Sequence, residues 1–211
     1  SLAASVPDLA SLIQKAIAGS WSNDEFSRAL QDSKWWRSNA DSVKQNLILK
    51  VSKPGEWNQK RGDLTGKARM IAAELGISLG EGRSGSLAHV IDAAMSFGWD
   101  ETRLRQEIGG YWKFSRNQEA SGTAGQITQK LRANYASMGV QYSQDSVANA
   151  TKRILTGKST LESYQAQALQ AAKGKYAAFA DQLDQGLTMR DIAEPYRQSM
   201  AALLEIPPEK V

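Results

Sequence analysis

The sequence lacks cysteine and contains a single histidine, and these two shortages exclude several kinds of site. Without cysteine, the chain cannot form a disulfide, a zinc–thiolate site or a cysteine nucleophile. One histidine, His89, cannot hold a metal ion by itself, and no carboxylate cluster lies near it in the sequence. We therefore predict no metal, no cofactor and no catalytic residue, and we interpret His89 as an ordinary helix residue.

Long apolar runs are missing as well. No stretch approaches the roughly 20 apolar residues that a membrane-spanning helix requires, so we expect no membrane partner. The N-terminus lacks the basic region and long apolar core of a signal peptide. The chain starts at Ser1 instead of Met and stops soon after Ile206-Pro207-Pro208, which suggests a segment of a longer polypeptide.

The alternating apolar pattern of a β-strand never persists, whereas helix-favouring Ala, Gln, Leu, Lys and Glu fill the long segments. A hydrophobic fraction of 41% over 211 residues is enough for one large helical domain or two small ones. We predict an all-α protein with at least about three-fifths of its residues in helices, on the strength of these propensities.

Residues with a strong preference for helix N-termini predict four helix starts, at Ser22, Asp100, Ser159 and Thr188. Both serines among them are followed three positions later by glutamate, Glu25 or Glu162, which is the spacing of a capping box. Each cap also follows a glycine by two or three residues, and glycine often ends a helix in the left-handed conformation. These glycines are Gly19, Gly98, Gly157 and Gly186.

This pattern predicts a unit made of a helix, a glycine, a short turn and a capped helix, repeated along the chain. Gly76 and Gly139 each end a further helix ahead of such a unit, which suggests an old duplication. We therefore predict a multi-helix array of repeated hairpins in two subdomains. These are residues 1–114 and 126–211, joined by a Ser- and Gly-rich linker at 115–125.

Six tryptophans are many for a chain of this length. Trp21 and Trp99 both lie just before a cap, where a hydrophobic residue can pack onto the new helix, here at Phe26 and Leu104. This placement favours a structural or interface role over a sugar-binding surface. We select six aromatic residues as interface or structural anchors: Trp21, Trp35, Trp36, Trp99, Trp112 and Tyr196.

One sequence pattern could indicate a catalytic residue. A Glu-Ser pair on a helix occurs in lytic transglycosylases, and the chain contains Glu162-Ser163. A general acid of that kind needs an apolar pocket to raise its pKa. Glu162 already has a capping role, and the Gly-Leu-Met-Gln type segment of those enzymes is missing downstream. We predict that the chain is not an enzyme.

The net charge of +4 is mildly basic, and the lysines and arginines are spread along the chain. Small basic groups occur at 50–53, 60–61 and 67–69. A DNA-binding protein usually gathers such side chains on one face. DNA contact is therefore an alternative that depends on whether Lys50, Lys53, Lys60, Arg61, Lys67 and Arg69 share a surface.

Several stretches over nearly the whole chain follow the order of one known family. The first contains Trp21-Ser22, Phe26, Ala29-Leu30 and Trp35-Trp36; the later ones are Gly98-Trp99-Asp100, 129–131 with Gly139-Val140, and 184–188 with 193–196. Together they resemble a segment in large structural proteins of phages that infect actinobacteria, often grouped with minor tail proteins. Two places depart from that pattern: 204–206, where a Gly is expected before the Ile, and 51–64, where few residues match.

The resemblance implies a virion structural protein of the tail, the tail tip or the particle interior. It implies assembly with other virion proteins and a homo-oligomer, and it transfers no catalytic residues. Two alternatives from other classes remain open. One is a peptidoglycan-active or wall-binding module of a phage tail, which needs a buried carboxylate beside exposed tryptophans, and the other is an internal virion protein that contacts DNA.

Overall fold

The computed structural model describes residues 7–82, 84–115, 119–207 and 210. Over these residues the protein is all-helical, with 76% helix and no strand, which confirms the expected fold class. The α-helices of the first part are α1 (Pro7–Ala18), α2 (Asn23–Asp32), α3 (Lys34–Ser38), α4 (Asp41–Ser52), α5 (Pro54–Leu75) and α6 (Ser86–Phe97). Those of the second part are α7 (Glu101–Gly110), α8 (Gly122–Ser137), α9 (Gln144–Leu155), α10 (Leu161–Lys175), α11 (Ala180–Asp184) and α12 (Met189–Leu204), with a 3-10 turn at Ala177–Phe179.

Contacts divide the chain into two compact units. Unit 1 comprises Ser1–Ile71 and Leu79–Arg105, and unit 2 comprises Ala72–Ser78 and Gln106–Val211. Residues 119–125 of the expected linker fall in unit 2, and α8 begins among them, whereas residues 116–118 lie outside the described residues. The glycines that suggested a linker permit close packing instead: a Cβ on Gly122 would collide with the Glu74 carbonyl oxygen, and one on Gly125 with that of Ala120.

The core of unit 1 is built from the apolar faces of its helices. Helix α6 buries five residues, Leu87, Val90, Ile91, Ala94 and Met95, at helical spacing. An ion pair joins α5 to α6, because Arg61 contacts Asp92 at 2.8 Å. Helices α4 and α6 pack closely. Gly98, which follows α6, permits this packing because a Cβ at that position would collide with the Ser42 side chain.

Unit 2 is organised around α8, which packs against α9, α10 and α12. Leu131 of α8 forms a buried cluster with Val147 and Ala150 of α9. The partly buried residues around this cluster are Ile127, Tyr135, Ile154, Leu161 and Tyr164. Tyr176, which follows the last residue of α10, lies against the end of α8, where its hydroxyl donates to the Gly139 carbonyl oxygen at 2.9 Å.

Several helices end in the same way. A residue with positive φ is followed by one whose N–H donates to the carbonyl five residues earlier, as Trp99 does to Ala94 at 3.2 Å after Gly98. Gly98, Gly157 and Gly186 adopt the expected left-handed conformation, but Gly19 does not. Ser20 adopts it instead with φ of 50°, because Trp21 is the residue that bonds back to Ala16.

The helix starts follow the predicted caps with one correction. Ser22 and Glu25 form the expected capping box, and the Asp100 carboxylate accepts from the Arg103 N–H at 2.7 Å. Thr188 caps α12 and forms a capping box with Asp191. The box expected at Ser159 is wrong: Thr160 is the cap of α10, and its hydroxyl accepts from the Ser163 N–H at 3.2 Å.

Candidate functional site

The six predicted aromatic anchors differ widely in exposure. Trp112 is buried in unit 2 with 5% of its surface exposed, whereas Tyr196 exposes 67%. The four other tryptophans, Trp21, Trp35, Trp36 and Trp99, are half-buried in unit 1. The six residues therefore do not form a single aromatic surface, and each has its own surroundings.

Trp21 and Trp99 occupy equivalent local positions. Each directly follows the left-handed residue that ends a helix, Ser20 for α1 and Gly98 for α6, and each bonds back to the fifth residue before it. A hydrophobic residue at this position commonly packs back onto the helix that it ends. Both indoles are half-buried, so replacing either with Ala should cost less than the ~3–5 kcal/mol that truncating a fully buried tryptophan costs.

The surroundings of these two indoles differ beyond the shared turn. The Trp21 ring covers Gly19, where a Cβ would come within 2.6 Å of the indole nitrogen. It also lines a shallow depression on α2 with Glu25, Arg28, Ala29 and Asp32. The Trp99 ring lies stacked against Phe97, with ring centroids 6.4 Å apart, and Arg103 approaches it to 5.8 Å.

The paired tryptophans lie on the short helix α3. Their ring centroids are 6.2 Å apart at an angle of 60°, and Ser33 caps the helix by accepting from the Trp36 N–H. The ammonium of Lys44 lies 4.7 Å from the Trp36 ring centre, close enough for a cation–π contact. Trp36 thus joins α3 to the start of α4.

An exposed apolar face on α12 includes Tyr196 and extends beyond it. Met200, Leu203 and Leu204 expose 51%, 83% and 55% of their surfaces. Spacings of three and four residues place these side chains with Tyr196 on one side of the helix. All residues of α12 are described, and only Ala201 among them is buried. Sequence reasoning selected Tyr196 but missed its three neighbours, although their spacing was visible.

The six basic residues between 50 and 69 are mostly matched by acidic partners. Lys53 contacts Glu56 at 2.8 Å, Lys67 contacts Glu101 at 2.6 Å, and Arg69 forms a two-point contact with Glu81. Arg61 contacts Asp92, as described above, and Lys50 lies 5.8 Å from the Trp57 ring centre. Lys60 differs from the others because its ammonium group donates a hydrogen bond to the side-chain oxygen of the buried Asn46.

The side chain of Glu162 lacks the environment of a general acid. Hydrogen bonds from its own backbone amide and from the Thr160 hydroxyl lower the pKa of this carboxyl, and the group is fully exposed. A catalytic acid requires the opposite shift, which burial in an apolar pocket would produce. His89 is an exposed residue of α6. Among the described residues, no three His, Asp or Glu side chains gather as they would around a metal ion.

Comparison with protein-family models, with curated proteins and with solved structures finds no match for this chain. The resemblance to phage structural proteins therefore depends on the residues quoted for it. None of the helices that the structure describes combines the length and the apolar character needed to cross a bilayer.

Proposed function

We propose that this chain is a structural component of a bacteriophage particle and acts by assembling with other virion proteins. The observation that carries the proposal is the exposed apolar face of α12, formed by Tyr196, Met200, Leu203 and Leu204. Large apolar side chains grouped on one helix face are typical of a surface that another protein covers. Aromatic residues and methionine are enriched at the centres of such interfaces.

The α12 face has the form of a helix-in-groove or helix-pair contact. Its apolar side chains fall on one side of a 16-residue helix. Its capping box stabilises the first turn of the helix without help from a partner. A preformed helix loses less conformational entropy on binding than a disordered segment would.

The two alternative functions receive less support. A peptidoglycan-active module would need an acid with a raised pKa near exposed tryptophans, whereas the Glu162 pKa is lowered and Trp112 is buried. A DNA-contacting protein would need an unmatched basic face. Four of its six expected contributors, Lys53, Arg61, Lys67 and Arg69, are instead paired with carboxylates.

The proposal is tested on purified particles of the phage that encodes the chain. Mass spectrometry should detect the chain in them, and a photo-crosslinking residue at position 203 should link α12 to a virion protein or to another copy of this chain. Leu203→Glu should abolish incorporation, because it places a charge in the covered face. Gln198→Glu, an exposed position of the same helix outside the apolar face, is the matched control.

Two results would contradict the proposal. Particles that lack the chain would remove the virion assignment altogether. Particles that contain it equally with Leu203→Glu and with Gln198→Glu would show that the α12 face is not the contact.

A further inference from the structure

A cavity of about 380 Å³ opens in unit 1 beside α4, α5 and the end of α6. This volume lies in the range of about 300–1,000 Å³ that small-molecule sites occupy. One part of its wall is apolar, formed by Leu64, Ala94, Met95 and Trp99. The rest is polar, formed by Ser42, Gln45, Asn46, Lys60, Asp63 and Lys67 together with Gly98.

Lys60 and Asn46 are the central pair of the polar wall. The Asn46 side chain is buried, with 5% of the residue exposed, and its Oδ1 accepts from the Lys60 Nζ at 2.6 Å. An ammonium group has three N–H donors, so two remain after this bond. Because a lysine can only donate, the bond also fixes the amide orientation and leaves the Asn46 Nδ2 as a further donor in the wall.

The charge of Lys60 distinguishes it from its neighbours in the same helix. Arg61, Lys67 and Arg69 each contact a carboxylate, on Asp92, Glu101 and Glu81. Within the described residues Lys60 makes no ion pair. The lining carries the ammonium groups of Lys60 and Lys67 and the carboxylate of Asp63. Because Lys67 is paired with Glu101, Lys60 is the ammonium group of the lining that has no ion pair among the described residues.

The apolar wall lies on the α6 side of the same cavity. Met95 is buried at 2% exposure, and Leu64 is partly buried. The Trp99 ring contacts Phe97 and Arg103, so these side chains position it without a bound molecule. An apolar wall facing a cationic donor pair suits a molecule with one charged end and one apolar end.

We infer that this cavity binds a small organic anion, namely a carboxylate carried on an aromatic or aliphatic body. The carboxylate accepts hydrogen bonds from Lys60 and from the Asn46 amide, and the body lies against Leu64, Met95 and Trp99. Charge-assisted hydrogen bonds of this kind are stronger than neutral ones, which makes the charge of the probe the decisive variable. The inference does not depend on the proposed role in the virion.

The test is a titration of the full chain by NMR with three probes of similar size: phenylacetate, phenylacetamide and phenethylamine. Phenylacetate should shift the Trp99 indole N–H and the Asn46 side-chain amide in a saturable way. The Trp99 signal is assigned with Trp99→Phe. The neutral amide should bind about tenfold more weakly, because its carbonyl oxygen carries no charge to attract the Lys60 ammonium, and the amine should not bind.

Lys60→Gln removes the charge but retains a donor, and it should weaken phenylacetate binding about tenfold for the same reason. Lys50→Gln is the matched control, because Lys50 lies over the Trp57 ring and outside the cavity lining. Both positions are exposed, and glutamine at position 60 retains a donor for the Asn46 oxygen, so both variants should fold like the parent chain. No saturable shift, equal binding of acid and amide, or equal loss in the two lysine variants would each overturn the inference.

Discussion

Two buried threonines in unit 2 share a hydrogen bond whose direction can be assigned. The Thr128 hydroxyl donates its one proton to the Ala124 carbonyl oxygen at 2.8 Å. Its oxygen also lies 3.1 Å from the Thr151 hydroxyl oxygen. Because Thr128 has no second proton, Thr151 must donate and Thr128 must accept. Thr151 has no exposed surface, so water cannot replace this acceptor.

The assignment predicts unequal effects for two similar substitutions. Thr128→Val should destabilise the fold by about 1–3 kcal/mol, because the buried Thr151 hydroxyl loses its acceptor. Thr151→Val should cost less, since Thr128 keeps its bond to Ala124. Urea denaturation measures both, and the double variant should lose less than the sum of the single variants. Equal losses in the single variants would contradict the assigned direction.

Adjacent glycines at the end of α7 predict a second contrast between single residues. A Cβ on Gly109 would come within 2.6 Å of the Leu155 carbonyl oxygen, whereas a Cβ on Gly110 would meet nothing within 4 Å. Gly109→Ala should therefore destabilise the protein by about 1–3 kcal/mol, the usual cost of overpacking. Gly110→Ala should be neutral or stabilising by up to about 1 kcal/mol. Thermal unfolding measures both variants, and equal unfolding midpoints for the two would contradict this prediction.

At the level of the element, the end of α1 carries a strained residue that the other helix ends mostly avoid. Ser20 adopts φ of 50°, where a side chain costs about 1–2 kcal/mol relative to glycine. Ser20→Gly should raise the free energy of unfolding by up to about 1 kcal/mol, because part of that gain is lost to the freer unfolded chain. Gly19→Ala should lower it, since the new Cβ would strike the Trp21 ring. Chemical denaturation would refute this account if Ser20→Gly were destabilising.

The start of α10 permits a comparison of neighbouring caps. Thr160→Ala should destabilise the protein by about 1 kcal/mol, because the Thr160 hydroxyl satisfies the Ser163 N–H. Ser159→Ala should change stability by no more than about 0.5 kcal/mol, as is usual for surface substitutions. Both variants are compared with the parent chain by urea denaturation. A larger loss for Ser159→Ala would restore the capping box that the sequence suggested.

At the scale of the whole molecule, the paired charges predict weak affinity for DNA. The net charge is only +4, and four of the six basic residues considered for DNA contact already hold carboxylate partners. Fluorescence anisotropy with a labelled duplex at about 150 mM salt should detect no binding, since few phosphates could be neutralised. Micromolar binding that falls steeply with salt would instead support a DNA-contacting role.

The sequence alone determined the features that arise within six or so residues. The left-handed glycines Gly98, Gly157 and Gly186, and the caps at Ser22, Asp100 and Thr188, satisfy helix ends through hydrogen bonds to their own neighbours. Such bonds need no distant partner, so residue type and spacing predict them. The all-helical class follows for the same reason, because it depends on these ends and on helix-favouring composition.

The tertiary structure decided which surfaces are covered and which are free. Four features depend on residues that are far apart in the chain: the burial of Trp112, the close packing at Gly122, the cavity beside Lys60 and the exposure of Leu203. The same glycine-rich pattern can form a linker or a close contact between segments. The same apolar helix face can be buried in the core or exposed on the surface. Only the distant residues that pack against such a segment distinguish these outcomes, because burial is a property of the packed chain and not of the segment.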